Sequence, residues 1–144
     1  MLYYKYNIMS LTVINELPLE KFKQMVSMKK HEIKKNNHPI LIIVKFGATW
    51  CRPCQNIKPL CEKLFNEMPN NIQCYDIDID ESMDLYVALK KYKMVNGVPC
   101  ILAYYLHQNR DNNEWYIPND SVTGGSPIQV ESFFSRCKKM AMSI

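Results

Sequence analysis

Ile40-Leu41-Ile42-Ile43-Val44-Lys45-Phe46-Gly47-Ala48-Thr49-Trp50-Cys51-Arg52-Pro53-Cys54 is the stretch that decides the fold. Its first five residues, apolar and mostly β-branched, predict a strand buried on both faces. The residues beyond it predict a helix: Ile57, Leu60, Cys61 and Leu64 fall at i, i+3, i+4 and i+7. Pro53 suits the first turn, where its missing N–H costs nothing. Cys51 therefore lands at a helix N-terminus, where unpaired backbone N–H groups and the positive end of the dipole favour a thiolate. Two cysteines separated by two residues can open and close a disulfide without unfolding the chain around them.

Outward from that stretch, the 144 residues and 47% hydrophobic content describe a chain long enough to bury one core. Residues 1–10 read as an N-terminal extension and 11–144 as the domain, with no linker or internal repeat. Met1 to Ser10 carry Lys5 but no continuous apolar segment and no small-residue cleavage site, so they do not read as a signal peptide. No run approaches the roughly 18 apolar residues of a membrane span. Six cysteines in a chain this long and apolar do not demand a disulfide framework. Intracellular redox chemistry in the cytoplasm is the expectation. The formal charge of +4 is spread over pairs such as Lys29-Lys30, Lys34-Lys35, Lys90-Lys91 and Lys138-Lys139. Scattered pairs read as solvated helix faces rather than a nucleic-acid footprint; neither nucleic acid nor membrane is an expected partner.

Along the chain, strands alternate with helices in the manner of an α/β domain. Leu11 to Glu16 predicts a strand, and Leu17-Pro18 opens a helix to about Asn36 with Leu19, Phe22, Val26 and Ile33 inward. The central strand runs from Ile40 to about Phe46. The helix after it runs from Pro53 to about Met68, with Pro59 inside it. Tyr75, Ile77 and Ile79 alternate with Asp76, Asp78 and Asp80 along a further strand, and Leu85, Ala88, Leu89 and Tyr92 form a helical stripe. Asn96-Gly97 marks a turn before the apolar run Cys100 to Leu106. The polar segment His107 to Asn113 precedes a returning strand from about Trp115 to Thr123. Gly124-Gly125 breaks that strand, Ser126 can cap, and Val130, Phe133, Phe134, Cys137 and Ala141 line the last helix.

This order, β-α-β-α-β-α-β-β-α with a CxxC pair at the tip of the central strand, resembles the thioredoxin family over residues 11–142. Lys45 to Cys54 is similar to the family's strand-to-active-site segment, Pro59 stands at its kinking proline, and Gly97-Val98-Pro99 resembles the loop carrying its cis-proline. Gly124 matches a further family position. The resemblance implies a thioredoxin fold, a central mixed β-sheet flanked by helices on both faces, with Val98 and Pro99 presenting backbone to a substrate. Three residues depart from the pattern: Arg52 replaces a common glycine, Lys45 a buried aspartate, and Cys100 a threonine. Asp76 falls where many family members carry lysine or glutamate, so Lys45 and Asp76 resemble a charge-swapped pair, expected at about 2.7–3.2 Å or bridged by one water. The family's aspartate accepts the buried cysteine's proton; an ammonium cannot. Lys45 is instead expected to stabilise a Cys54 thiolate and shift the pair toward the oxidising side.

In dithiol chemistry the thiolate is the nucleophile, which assigns attack to Cys51, beside the cationic Arg52, and resolution to the more buried Cys54. Pro53 restrains the turn, and Trp50 shapes the docking surface. A permanent disulfide or half a zinc site is the alternative, but no second CxxC or paired histidines complete a metal tetrad. Cys61, Cys74 and Cys137 read as core thiols. Cys100 lies nearer the site, and a regulatory role for it stays open beside a structural one. His31, His38 and His107 read as surface residues. Asp76-x-Asp78-x-Asp80 imitates a calcium loop, yet Glu81 stands where glycine is needed and Val87 where the bidentate acid belongs. The expectation is a thiol-disulfide oxidoreductase acting on protein disulfides, with no metal or organic cofactor and with an external reductase or dithiol as electron donor. An oxidase or isomerase, toward which Arg52 pushes, is the alternative within this chemistry. A binding module that keeps the fold is the alternative outside it.

Overall fold

The computed structural model describes residues 13–108 and 110–144. The expected N-terminal extension, residues 1–10, lies outside the described residues. β1 (Leu41–Gly47), buried along its whole length, lies inside a four-stranded sheet of order β2-β1-β3-β4. β2 (Ile72–Asp78) runs parallel to it, and β3 (Cys100–Tyr105) and β4 (Asp120–Thr123) continue the other side in antiparallel pairings. A parallel pair needs a crossover, and α3 (Arg52–Asn66) supplies it. α1 (Leu19–Val26) and α2 (Lys30–Lys35) precede β1, α4 (Asp84–Lys91) joins β2 to β3, and α5 (Pro127–Met142) follows β4.

Successive residues of β1 point to opposite faces, and both faces are covered. Leu41 and Ile43 join Ile57, Phe65, Phe133 and Phe134 beneath α3 and α5. Ile42, Val44 and Phe46 join Phe22, Val26, Leu85 and Leu89 beneath α1 and α4. The chain thus forms a mixed sheet flanked by helices on both faces, as its unbroken apolar run implies. Among the described residues no helix is long and apolar enough to cross a membrane.

Three elements differ from expectation. The strand expected at Leu11 to Glu16 is, among the described residues, a single parallel bridge from Ile14 to Tyr75, made by Ile14 N–H to the Cys74 carbonyl at 3.2 Å and Asp76 N–H to the Ile14 carbonyl at 2.9 Å; residues 11 and 12 lie outside them. The helix expected from Leu17 to Asn36 breaks after Val26. Ser27 Oγ donates to the Lys23 carbonyl at 2.7 Å, the local competition that disfavours serine inside helices. Lys29 is extended, and Glu32 Oε1 accepts from its N–H at 3.0 Å to start α2. The returning strand starts at Asp120, not Trp115. Asn112–Glu114 forms a 3₁₀ turn, and Trp115 and Tyr116 turn inward onto Phe22 and Tyr92. Arg110 holds the segment by donating to the Ile117 carbonyl at 2.5 Å and to Asn119 Oδ1.

The buried thiols make stability depend on alkaline pH. Cys61 and Cys137 are both 0% exposed, and burial pushes their thiols up to about 11 and about 12. Unfolding returns them to about 8.5. The folded values are the higher ones, so this contribution is fully present below about pH 8.5 and is lost as pH rises toward 11 and 12. The urea midpoint is expected to hold steady from pH 7 to 8 and to fall above 9, each thiol adding a slope of up to about 1.4 kcal/mol per pH unit. Cys137→Ala should remove one thiol's share. An identical slope in that variant would show that Cys137 ionises as freely folded as unfolded.

Candidate active site

Cys51 is the N-cap of α3. Its backbone is extended, and its Sγ accepts the N–H of Cys54 at 3.3 Å, satisfying one of the donors a helix start leaves open. Pro53 occupies the first turn, where it sacrifices no helical bond. The thiol of Cys51 donates to the Val98 carbonyl at 3.6 Å. The Val98–Pro99 peptide is cis. Gly97 precedes it at φ +110°, a conformation side chains disfavour, and the Gly97 N–H donates to the Tyr86 hydroxyl at 2.9 Å. Ala48, Cys51 and Cys54 form a small apolar cluster on which Ile79 and Val98 pack. All six cysteines are free thiols. Cys51 is 6% and Cys54 3% exposed, so both are buried and the difference between them is small.

Cys54 has the environment of a thiol that stays protonated. Burial above all, then the hydrogen bond with Cys51, pushes it up to about 11, while a bond from the Ala48 backbone and the nearby Lys45 charge pull the other way. Lys45 is 4% exposed and faces Asp76 across the β1–β2 pair, with Nζ 3.5 Å from Oδ1. That is an ion-pair separation, longer than the expected hydrogen bond. Both residues line a cavity of about 150 Å³ beneath the site, together with Cys54, Lys58 and Asp78. The pull of Lys45 on Cys54 opposes the effect of burial, which is the larger of the two.

Trp50 and Arg52 are exposed beside Cys51. The Trp50 indole is fixed by donation from Nε1 to Asp80 Oδ2 at 2.8 Å. Asp80 and Gly125 escaped the sequence reading. Asp80 stood out only as part of a calcium-like spacing, and nothing in its spacing from Trp50 announces the bond. Gly125 lies against Pro53: a Cβ there would come within 3.2 Å of Pro53 Cβ and 3.4 Å of its carbonyl. The Gly124-Gly125 pair, read only as a strand breaker, was the signal for that close approach. Among the described residues no group of three or more His, Cys, Asp or Glu side chains is placed to hold a metal ion. The arrangement presents one capped sulfur at a helix start, a second sulfur one turn in, and a backbone carbonyl alongside.

A sequence profile of the thioredoxin family matches residues 19–121. The chloroplast thioredoxin M-type of Pisum sativum is 28% identical over 82 residues, covering 57% of this chain and 45% of that protein. The thioredoxin of Coprinus comatus is 28% identical over 114 residues, covering 78% of this chain and 95% of that protein. The chain thus spans less than half the length of the plant relative and nearly all of the fungal one. The crystal structure of thioredoxin from Trypanosoma brucei brucei shares the fold with a TM-score of 0.63 at 19% identity, over 94% of this chain and 99% of that one. The match covers the central strand, the CxxC helix and the Val98–Pro99 loop together, and the chain belongs to the thioredoxin family.

Proposed function

We propose that the chain is a thiol-disulfide oxidoreductase that acts on protein disulfides through Cys51 and Cys54. The observation that carries this reading is Cys51 Sγ capping α3, with the Cys54 N–H donating to it at 3.3 Å. The same donor and the helix dipole stabilise negative charge on that sulfur. The Cys51 thiolate attacks one sulfur of a substrate disulfide, forms a mixed disulfide and expels the other substrate thiolate, which takes up a proton. Cys54 then loses its proton and attacks Cys51 Sγ. The second substrate thiolate leaves and is protonated, and a Cys51–Cys54 disulfide remains. Two electrons pass to the substrate, and an external dithiol or reductase must return them. Val98, with Pro99 behind it, offers the backbone against which an extended substrate lies. Trp50 forms the wall of the docking surface, Pro53 fixes the turn, and Arg52 adds positive charge at its mouth.

Redox equilibration against a graded dithiol buffer, coupled to turnover of a disulfide-linked peptide, tests the reading. Turnover with a midpoint near about −270 mV supports a reductase, and one near about −180 mV an isomerase or oxidase. A reduced protein that turns over no disulfide would end both.

Lys45 and Asp76 support the second step. Because Cys54 is pushed up to about 11, the ammonium acts on the transient thiolate that resolves the mixed disulfide. Removing the charge by Lys45→Met is expected to slow resolution about threefold, because the Cys54 thiolate loses a cation that stabilises it and the greater nucleophilicity of the more basic thiolate offsets part of that loss. The midpoint at pH 7 and the rate of Cys51 alkylation should hold. Stopped-flow decay of the mixed disulfide checks this, and an unchanged decay would reduce Lys45 to a structural ion-pair partner.

A further inference from the structure

A groove of about 350 Å³ runs from the end of β2 along α4. Its near end belongs to the dithiol site. Ile79 lines the groove and also packs on the Ala48, Cys51 and Cys54 cluster, while Asp80 lines it and holds the Trp50 indole. Its wall is apolar and open: Met83 and Val87, one helical turn apart, are 56% and 53% exposed. Its far end is basic. Lys90 and Lys91 line it, both are exposed, and among the described residues neither forms an ion pair. Met83, Val87 and Lys90 recur at i, i+4 and i+7, so one face of α4 carries the sequence from apolar to cationic.

Resting on the dithiol reading, we infer that this groove is a docking lane for a segment of the substrate protein in which an apolar residue is followed by acidic ones. The occupant follows from what the site demands. Cys51 is 6% exposed, so a partner disulfide reaches it only if the partner's neighbouring chain lies on the rim, and the groove is a continuation of that rim. From Met83 to Lys90 the helix rises about 10 Å, the length of about three extended residues. An apolar side chain set against Met83 and Val87 therefore places a residue two or three positions on beside Lys90 and Lys91. The negative end of the α4 dipole accounts for lysines in a last turn, but not for two uncovered apolar side chains leading to them from the active-site rim.

The test uses the reduced protein with dithiothreitol as donor and three probes. Two are disulfide-linked synthetic peptides that share a leucine after the cysteine and end in paired glutamates or paired lysines. The third is neutral 2-hydroxyethyl disulfide. Wild type should show a lower KM for the glutamate peptide than for the lysine peptide, with similar kcat. The double variant K90E/K91E should raise the KM for the glutamate peptide about tenfold at low salt, with the difference shrinking as ionic strength rises, and V87S should raise it for both peptides. Turnover of 2-hydroxyethyl disulfide should stay unchanged in every variant. If wild type fails to reduce that small disulfide, the dithiol reading itself falls. If it reduces it and KM for the glutamate peptide ignores the charge reversal, the docking lane falls alone. A dimer in sedimentation that K90E/K91E or V87S dissolves would give the groove to a second copy and overturn the inference as well.

Discussion

Cys54→Ser is expected to turn a catalyst into a trap. With Cys51 intact and no resolving thiol, the reaction should halt at the mixed disulfide, steady turnover falling about a thousandfold or more. Intact-mass spectrometry should show one substrate thiol chain added at Cys51. Cys51→Ser should give the same loss with no adduct, because Cys54 is buried and pushed up to about 11. Serine differs from cysteine by one atom, and both variants should keep the wild-type urea midpoint within about 1 kcal/mol. Turnover surviving in Cys51→Ser, or an adduct on Cys61, Cys74, Cys100 or Cys137, would move the chemistry elsewhere in the chain.

The largest expected loss of stability follows Phe22→Ala. Phe22 is 0% exposed, meets Tyr104 edge-on with ring centroids 4.8 Å apart and approaches Trp115 at 6.1 Å. Truncation empties a site walled by the sheet on one side and the inserted aromatic residues on the other, which cannot close together without breaking the Arg110 contacts. The expected cost is about 3–5 kcal/mol, read by urea denaturation, while Cys51 alkylation in the folded state should hardly change. A loss under about 1 kcal/mol would mean that α1 is peripheral and that the Trp115 segment collapses into the gap.

Much of this architecture was legible because its signals are periodic. The unbroken run from Ile40 to Val44 announced a strand covered on both sides, and Ile57, Cys61 and Leu64 announced the helix that covers one of them. The elements misread are those governed by single side-chain hydrogen bonds. Ser27 ends α1 by bonding Lys23, and Arg110 with Asn119 holds Trp115 to Pro118 out of the sheet; an apolar count sees neither. Within the site, the residues named from the CxxC stretch and the Val98-Pro99 loop are brought together. The pairing of Trp50 with Asp80 was not legible because it depends on two loops meeting in space. How strongly Lys45 bears on Cys54 was not legible for a related reason: sequence shows a charge near Cys54, but not the burial that the charge opposes.

The Lys45–Asp76 pair has a second consequence, for how the chain finds its strand pairing. β1 is apolar at almost every position, so hydrophobicity alone would accept several alignments with β2. In the observed alignment Lys45 lies opposite Asp76. A slip of one residue would set Lys45 beside Tyr75 or Ile77 and leave both charges facing hydrocarbon. A slip of two could match Lys45 with Asp78, but would carry Asp76 to Ile43, deep beneath α3. An unmatched charge in such a place costs several kcal/mol, more than any gain in apolar contact from the shift. One pair of opposite charges, Lys45 on the buried β1 and Asp76 on the half-buried edge of β2, thus disfavours the neighbouring alignments.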